Sequence, residues 1–245
     1  MRTGDRPVDR LIVGIDKKTG DEALQVFDAV ANAGATYVKI GPVLMLRMGL
    51  ATIGRELRDR GISQWFLDGK FCNTDDILAD TATEASRHSP TMMNCMADVG
   101  PAALKRFADI CRDQGIISLA VSVLTTKDDA MCAAQHNGRT AKDQVLFYAN
   151  EWIAPAGLDG MVCSAQEASV LRASGYTGLL VTPGIRFAGN AVGDQRRVMT
   201  PADAIKAGSD YVVMATDILA DPKARVQRFI AEVSAEANAH HPVII

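Results

Sequence analysis

The sequence predicts an α/β protein, a (β/α)8 barrel folded as one domain over residues 1–245. Three observations lead there. Short apolar, β-branched runs recur along the chain, helix-period stretches separate them, and the alternation repeats eight times. A closed barrel of this kind takes roughly 250 residues, and the chain has 245. A doubly wound open sheet is the alternative, but no Gly-x-Gly-x-x-Gly follows the first apolar run.

The expected strands are Leu11–Ile15, Thr36–Ile40, Trp65–Leu67, Thr91–Cys95, Ile117–Leu124, Gly160–Cys163, Leu179–Val181 and Tyr211–Met214. Their near-continuous apolar character suits strands buried on both faces, as in a parallel sheet. The first expected helix, Asp21–Ala33, carries Ala23, Leu24, Phe27 and Ala31 on one face and stops before Gly34. Thr52–Arg60, Thr74–Arg87, Pro101–Gln114, Lys142–Pro155, Ala165–Ser174 and Pro201–Ala207 follow as helices, and a last one covers about Asp221–Ala237.

Composition excludes several classes. Hydrophobic residues make up 48% and charged residues 22%, enough apolar material for a large core. Lysine plus arginine is 26 against 29 aspartate plus glutamate, a net charge of −3, so no basic nucleic-acid surface is expected. The apolar runs are of strand length, far below the ~20 residues that span a bilayer, so no membrane partner is expected. The N-terminal stretch has no apolar signal region. Five scattered cysteines (Cys72, Cys95, Cys111, Cys132 and Cys163) form no C-x-x-C pair and no zinc spacing. A reducing, cytoplasmic setting and no metal are therefore expected.

In a barrel, function collects at the C-terminal ends of the strands. Asp16 ends the first expected strand, Lys39 lies one residue before the end of the second, and the third runs on from Leu67 through Asp68-Gly69-Lys70. Asp68 and Lys70 are two apart, so in an extended strand they point the same way. Any one of these charges fits a structural ion pair. Four on three consecutive strands point to a site, because an alternating array is costly to bury unless every charge is compensated. A carboxylate beside a bound anion raises that anion's energy, and an ammonium can protonate a carbanion as it forms. Both suit chemistry in which a carboxylate leaves. His88, His136, His240 and His241 fall in expected loops or the tail, so histidine acid–base catalysis is not expected.

The residues resemble the orotidine 5'-phosphate decarboxylase family along nearly the whole chain. The clearest stretch is Thr182-Pro183-Gly184-Ile185-Arg186, then Gly193-Asp194-Gln195-Arg196-Arg197, Thr200-Pro201-Ala202 and Ala207-Gly208. Val162–Ala165, Val121–Thr125 and Phe66–Phe71 also fit. The resemblance implies a homodimeric (β/α)8 barrel without a cofactor that decarboxylates a pyrimidine nucleotide. It assigns Lys70 to protonation of C6, Asp68 to the place facing the departing carboxylate, Lys39 to pairing with Asp68, and Asp16 to a ribose hydroxyl. Thr125 and Thr126 fall where the pyrimidine is held, and Arg186 and Gln195 in the segment that closes over the phosphate.

The departures from the family pattern fall on the site. The family reads Asp-x-Lys-x-x-Asp, its last aspartate reaching the partner subunit's site, whereas this chain reads Asp68-Gly69-Lys70-Phe71-Cys72-Asn73. Asn73 keeps hydrogen-bonding capacity without charge. Thr74-Asp75-Asp76-Ile77 replaces Ile-Pro-Asn-Thr, and Cys95-Met96-Ala97 replaces Val-His-Ala. The phosphate-gripping Gly-Arg pair becomes Ala215-Thr216, with Asp217 next. The expected substrate is accordingly an orotidine-type nucleoside that lacks the 5'-phosphate or is altered there. Ordinary orotidine 5'-phosphate decarboxylation is the alternative, with Arg186 and Arg196 or Arg197 as phosphate ligands. A non-decarboxylating enzyme or nucleoside-binding protein on the same barrel is a third reading.

Overall fold

The structure is a computed structural model and describes residues 6–17, 19–189 and 199–240. Among the described residues eight parallel strands close into a barrel in chain order. They are β1 (Leu11–Ile15), β2 (Tyr37–Ile40), β3 (Gln64–Phe71), β4 (Met92–Met96), β5 (Ile117–Val121), β6 (Gly160–Val162), β7 (Leu179–Thr182) and β8 (Tyr211–Met214). β1 closes the ring by pairing with β8, Leu11 opposite Val212 and Val13 opposite Met214.

The helices are α1 (Gly20–Asn32), α2 (Pro42–Met48), α3 (Leu50–Asp59), α4 (Asp75–Ser86), α5 (Pro101–Asp113), α6 (Asp129–Gln135), α7 (Ala141–Phe147), α8 (Ala154–Ala156), α9 (Ala165–Ala173), α10 (Pro201–Lys206), α11 (Thr216–Ala220) and α12 (Pro222–His240). Capping boxes start α1 and α9. Thr19 exchanges hydrogen bonds with Glu22, and Ser164 with Glu167, each pair satisfying otherwise orphaned amides. The single helix expected over Lys142–Pro155 is instead α7, a π-helical turn at Tyr148–Ile153 and the short α8. Pro155 has no N–H to donate to Glu151, which favours the wider turn. The short α2, α6 and α11 add to the expected helices.

Alternation along each strand divides the core in two. Leu11, Val13, Val38, Ile40, Trp65 and Leu67 pack outward under the helices. Ile12, Tyr37, Phe66, Met92, Leu119 and Val213 fill the barrel interior. Both sets are buried, which is why the strands read as continuous apolar runs. Counting on by two from the interior row gives Lys39 after Tyr37, Asp68 after Phe66 and Asn94 after Met92. Three neighbouring strands therefore turn from apolar to polar at one level of the barrel, below the mouth.

The N-terminal face is tied by a structural network. The Arg172 guanidinium donates to the carbonyls of Tyr176, Gly178 and Gly208 and to the Asp210 carboxylate. Asp210 also accepts from the Leu180 amide. Arg10 donates to the carbonyls of Ser209 and Asp210.

Candidate active site

The polar row forms a continuous chain of charges. Lys39 Nζ lies 3.3 Å from Asp16 Oδ1 and 3.0 Å from Asp68 Oδ2. Lys70 Nζ lies 2.7 Å from Asp68 Oδ1. One carboxylate is thus held between two ammoniums. Glycines make room for it: a Cβ at Gly14 would sit 3.4 Å from Lys39 Cε, and one at Gly41 would sit 2.9 Å from Asp16 Oδ1.

Electrostatics keep the array ionised. Burial would raise the Asp68 carboxyl, but Lys39, Lys70 and the hydrogen bond from Asn94 outweigh it and hold the group at about 2. Burial alone would lower the Lys39 ammonium, yet Asp68 and Asp16 raise it above its ordinary value. At neutral pH the carboxylate stays charged and unprotonated.

The backbone of β3 is not a plain strand here. From Leu67 to Phe71 β3 advances four residues, while β4 advances two from Met93 to Cys95. Lys70 takes a left-handed φ of 46°. The two extra residues form a bulge, a device that re-aims side chains beside active sites. A Cβ at Gly69 would lie 2.5 Å from the Phe71 ring, so a side chain at that position would have to displace the ring. Asp68 and Lys70 therefore meet through a bulge, where simple alternation had placed them on one face.

The array borders a cavity of about 790 Å3 at the strand ends. Opposite it stand Val121, Val123 and Val162, an apolar wall suited to the face of a flat ring. Thr125, which is buried, and Thr126 line the same cavity. The rim above β7 and β8 contributes Pro183, Gly184, Arg186, Ala215 and Thr216. Arg186 Nε lies 3.8 Å from Asp217 Oδ1, with side-chain exposures of only 11% and 6%. Asp217 Oδ2 also accepts the Phe187 amide at 2.8 Å.

Asp16, Lys39, Asp68, Lys70, Thr125, Thr126, Arg186 and Thr216 thus surround one cavity. Asn73 does not line it. It is exposed, and its Oδ1 accepts the Thr74 amide at 2.8 Å. Gln195 lies outside the described residues. Two residues escaped the sequence reading. Lys17 lines the cavity next to Asp16. Asn94 is fully buried against Asp68 and Lys70, and its interior position two after Met92 was the available signal.

The profile of the orotidine 5'-phosphate decarboxylase / HUMPS family matches residues 9–229. The chain belongs to this family. Among its relatives, an orotidine 5'-phosphate decarboxylase of Methylobacterium radiotolerans is 40% identical over 231 residues, covering 93% of this chain and 97% of that protein. One from Afipia carboxidovorans is 37% identical over 236 residues, covering 95% and 98%. Both names denote a carboxy-lyase. The crystal structure of orotidine 5'-phosphate decarboxylase from Lactobacillus acidophilus superposes with a TM-score of 0.78 at 27% identity, covering 94% of this chain and 99% of the other. Family membership fits the closed barrel and the position of the charged array at its mouth.

Proposed function

We propose that this family member is a cofactor-free decarboxylase of orotidine 5'-phosphate. The observation that carries the reading is the Lys39–Asp68–Lys70 array beside an apolar wall. A pyrimidine ring against that wall would bring its C6 carboxylate toward Asp68, which cannot accept a proton at neutral pH. Their repulsion raises the bound ground state and is released as carbon dioxide leaves. The electron pair of the broken C–C bond stays on C6. Lys70 Nζ then supplies the proton that forms the new C–H bond, and water reprotonates the amine. Lys39 holds Asp68 charged and in place, and Asp16 takes a ribose hydroxyl.

A second reading rests on the rim. The Arg186–Asp217 pair and the neutral Thr216 leave the rim above β7 and β8 without an uncompensated positive charge among the described residues, though Lys17 lines the cavity beside Asp16. This favours an orotidine-type nucleoside without the phosphate, or one altered at the 5' end. The wider relationship favours the phosphate ester, since the relatives that are named for it match nearly end to end.

A homodimer across the barrel mouths belongs to the same proposal. Val43 and Leu46 on α2 and Ile77 on α4 are 59%, 90% and 49% exposed beside the mouth. A second copy over that face would cover them, and the exposed Asn73 would then reach the partner's cavity. A cytoplasmic setting belongs to the same proposal, since it fits a role in pyrimidine nucleotide metabolism. No described helix is long and apolar enough to cross a membrane.

The test is carbon dioxide release from orotidine 5'-phosphate and from orotidine by wild type and Lys70→Ala. Turnover of the phosphate that Lys70→Ala abolishes supports the first reading, and a wild-type preference for orotidine supports the second. Binding without release from either compound would leave a nucleoside-binding protein.

A further inference from the structure

The interior of β4 holds one polar side chain at the level of the charges, and neither ordinary ladder pairing nor the proposed chemistry accounts for it. Asn94 has no solvent exposure. Its Nδ2 donates to Asp68 Oδ1 at 2.8 Å, and its Oδ1 accepts the Lys70 backbone amide at 2.7 Å. The bulge explains the second bond. Where β3 runs two residues ahead of β4, the Lys70 N–H has no ladder carbonyl opposite it, and a buried amide must find a partner. Lys70 also holds a left-handed φ that residues with a Cβ seldom adopt. The Asn94 carbonyl is therefore the contact that fixes the backbone carrying the ammonium, while its amino group fixes the carboxylate that the ammonium touches.

We propose that Asn94 is the positioning residue of the array, one side-chain amide that sets the Lys70 backbone and the Asp68 carboxylate in a single geometry. An amide suits both tasks because it carries a donor and an acceptor. An aspartate offers acceptors only when ionised, and a leucine offers neither. Three charged groups bear on this arrangement. Lys39 from β2 and Lys70 from β3 touch Asp68, and Asp16 at the end of β1 acts through Lys39. The catalytic consequence rests on the decarboxylase reading above; the geometric claim does not.

The experiment uses Asn94→Asp and Asn94→Ala in the full chain. Carbon-13 NMR follows the Asp68 carboxyl, assigned through Asp68→Asn, and steady-state kinetics use orotidine 5'-phosphate. Asn94→Asp keeps an acceptor for the Lys70 amide but sets a second carboxylate against the first. Two carboxylates in contact share a proton, so Asp68 should titrate as a coupled pair, one step well above the wild-type value of about 2. The acid limb of the kcat/KM profile should move up with it. Asn94→Ala should raise the Asp68 titration less and cut kcat ~100-fold with KM nearly unchanged, the loss expected when a reacting group shifts by about 1 Å. A merely structural asparagine would lower the melting temperature of Asn94→Ala and leave its carboxyl titration, kcat and pH profile in place; that result overturns the proposal. If Asn94→Asp does not fold, Asn94→Ala carries the same two readouts. A wild type without turnover would sink the decarboxylase reading, while the carboxyl titration would still decide the role of Asn94.

Discussion

Replacing Asp217 by asparagine should shift the protein toward phosphorylated ligands. The carboxylate lies 3.8 Å from Arg186 Nε, and both side chains are nearly buried. At an effective dielectric of 20, unit charges at that separation attract by ~4 kcal/mol before desolvation is counted. A 5'-phosphate on this rim must compete with Asp217 for the guanidinium and also feels the carboxylate directly. After desolvation and salt screening we expect about 1–2 kcal/mol of that opposition to survive, a factor of roughly 5 to 30 in affinity. Asparagine removes the charge and keeps an oxygen that can accept the Phe187 amide, now bonded at 2.8 Å, so the backbone after β7 stays anchored. The assay is the ratio of kcat/KM for orotidine 5'-phosphate to that for orotidine. It should rise about 10-fold in Asp217→Asn. A ratio within twofold of wild type would refute the reasoning, because the pair would then play no part in reading the 5' end. Asp217→Ala separates the two roles: it should raise the same ratio but cost about 1–3 kcal/mol of stability by orphaning the Phe187 amide.

Three further outcomes follow from the geometry. Asp68→Asn should destabilise the fold by on the order of 2 kcal/mol at pH 7, because the folded carboxyl sits at about 2 against 3.8 unperturbed. That contribution is present above pH 4 and lost as pH falls through about 2, so urea unfolding of wild type and variant should converge in acid and stay apart at neutral pH. Arg172→Ala should cost about 3 kcal/mol by freeing three carbonyls and Asp210 on the face opposite the site, with kcat unchanged where the protein stays folded. Leu46→Glu should turn a dimer into a monomer in sedimentation at high micromolar concentration; a wild type that is already monomeric there would remove the dimer proposal.

The barrel is legible in the sequence because every strand is buried on both faces, and burial writes itself into the chain as unbroken apolar runs. The same feature hid the site's finer structure. The apolar run of β3 ends at Leu67 and the sequence carries it on as a plain strand through Lys70, yet it reaches Phe71 only through a two-residue bulge. No local pattern announces that bulge; it is visible only against the register of β4. Asn94 sat in plain view at an interior position, but an asparagine in a strand carries no signal until the donors and acceptors around it are known. The Arg186–Asp217 pair joins residues far apart in the chain and depends on β7 and β8 being neighbours. In the sequence Asp217 stands only as the neighbour of the replaced phosphate-gripping pair and Arg186 as a candidate phosphate ligand, and nothing there joins the two.

The two ends of the cavity pose opposite electrostatic problems, and this ties the substrate question to the mechanism. Asp16, Lys39, Asp68 and Lys70 sum to zero charge, so a substrate carboxylate entering the array brings an excess negative charge beside a carboxylate held at about 2. Protonation cannot relieve that cost at neutral pH. It accelerates the reaction only if binding elsewhere holds the substrate in place, because remote contacts must offset the strain at the reacting centre. On the decarboxylase reading, the apolar wall supplies part of that binding. In a phosphate-binding site the rest would come from cations at the rim, but here the rim arginine is already matched by Asp217. A ligand with a 5'-phosphate must break that pair or bind despite it, whereas a ligand neutral at the 5' end leaves it intact. Rim substitutions should therefore change kcat/KM for truncated and complete substrates in opposite proportion, while substitutions in the array should lower both alike. Equal effects of Asp217→Asn on the two substrates would show that the binding energy that holds the carboxylate against Asp68 does not come from the rim.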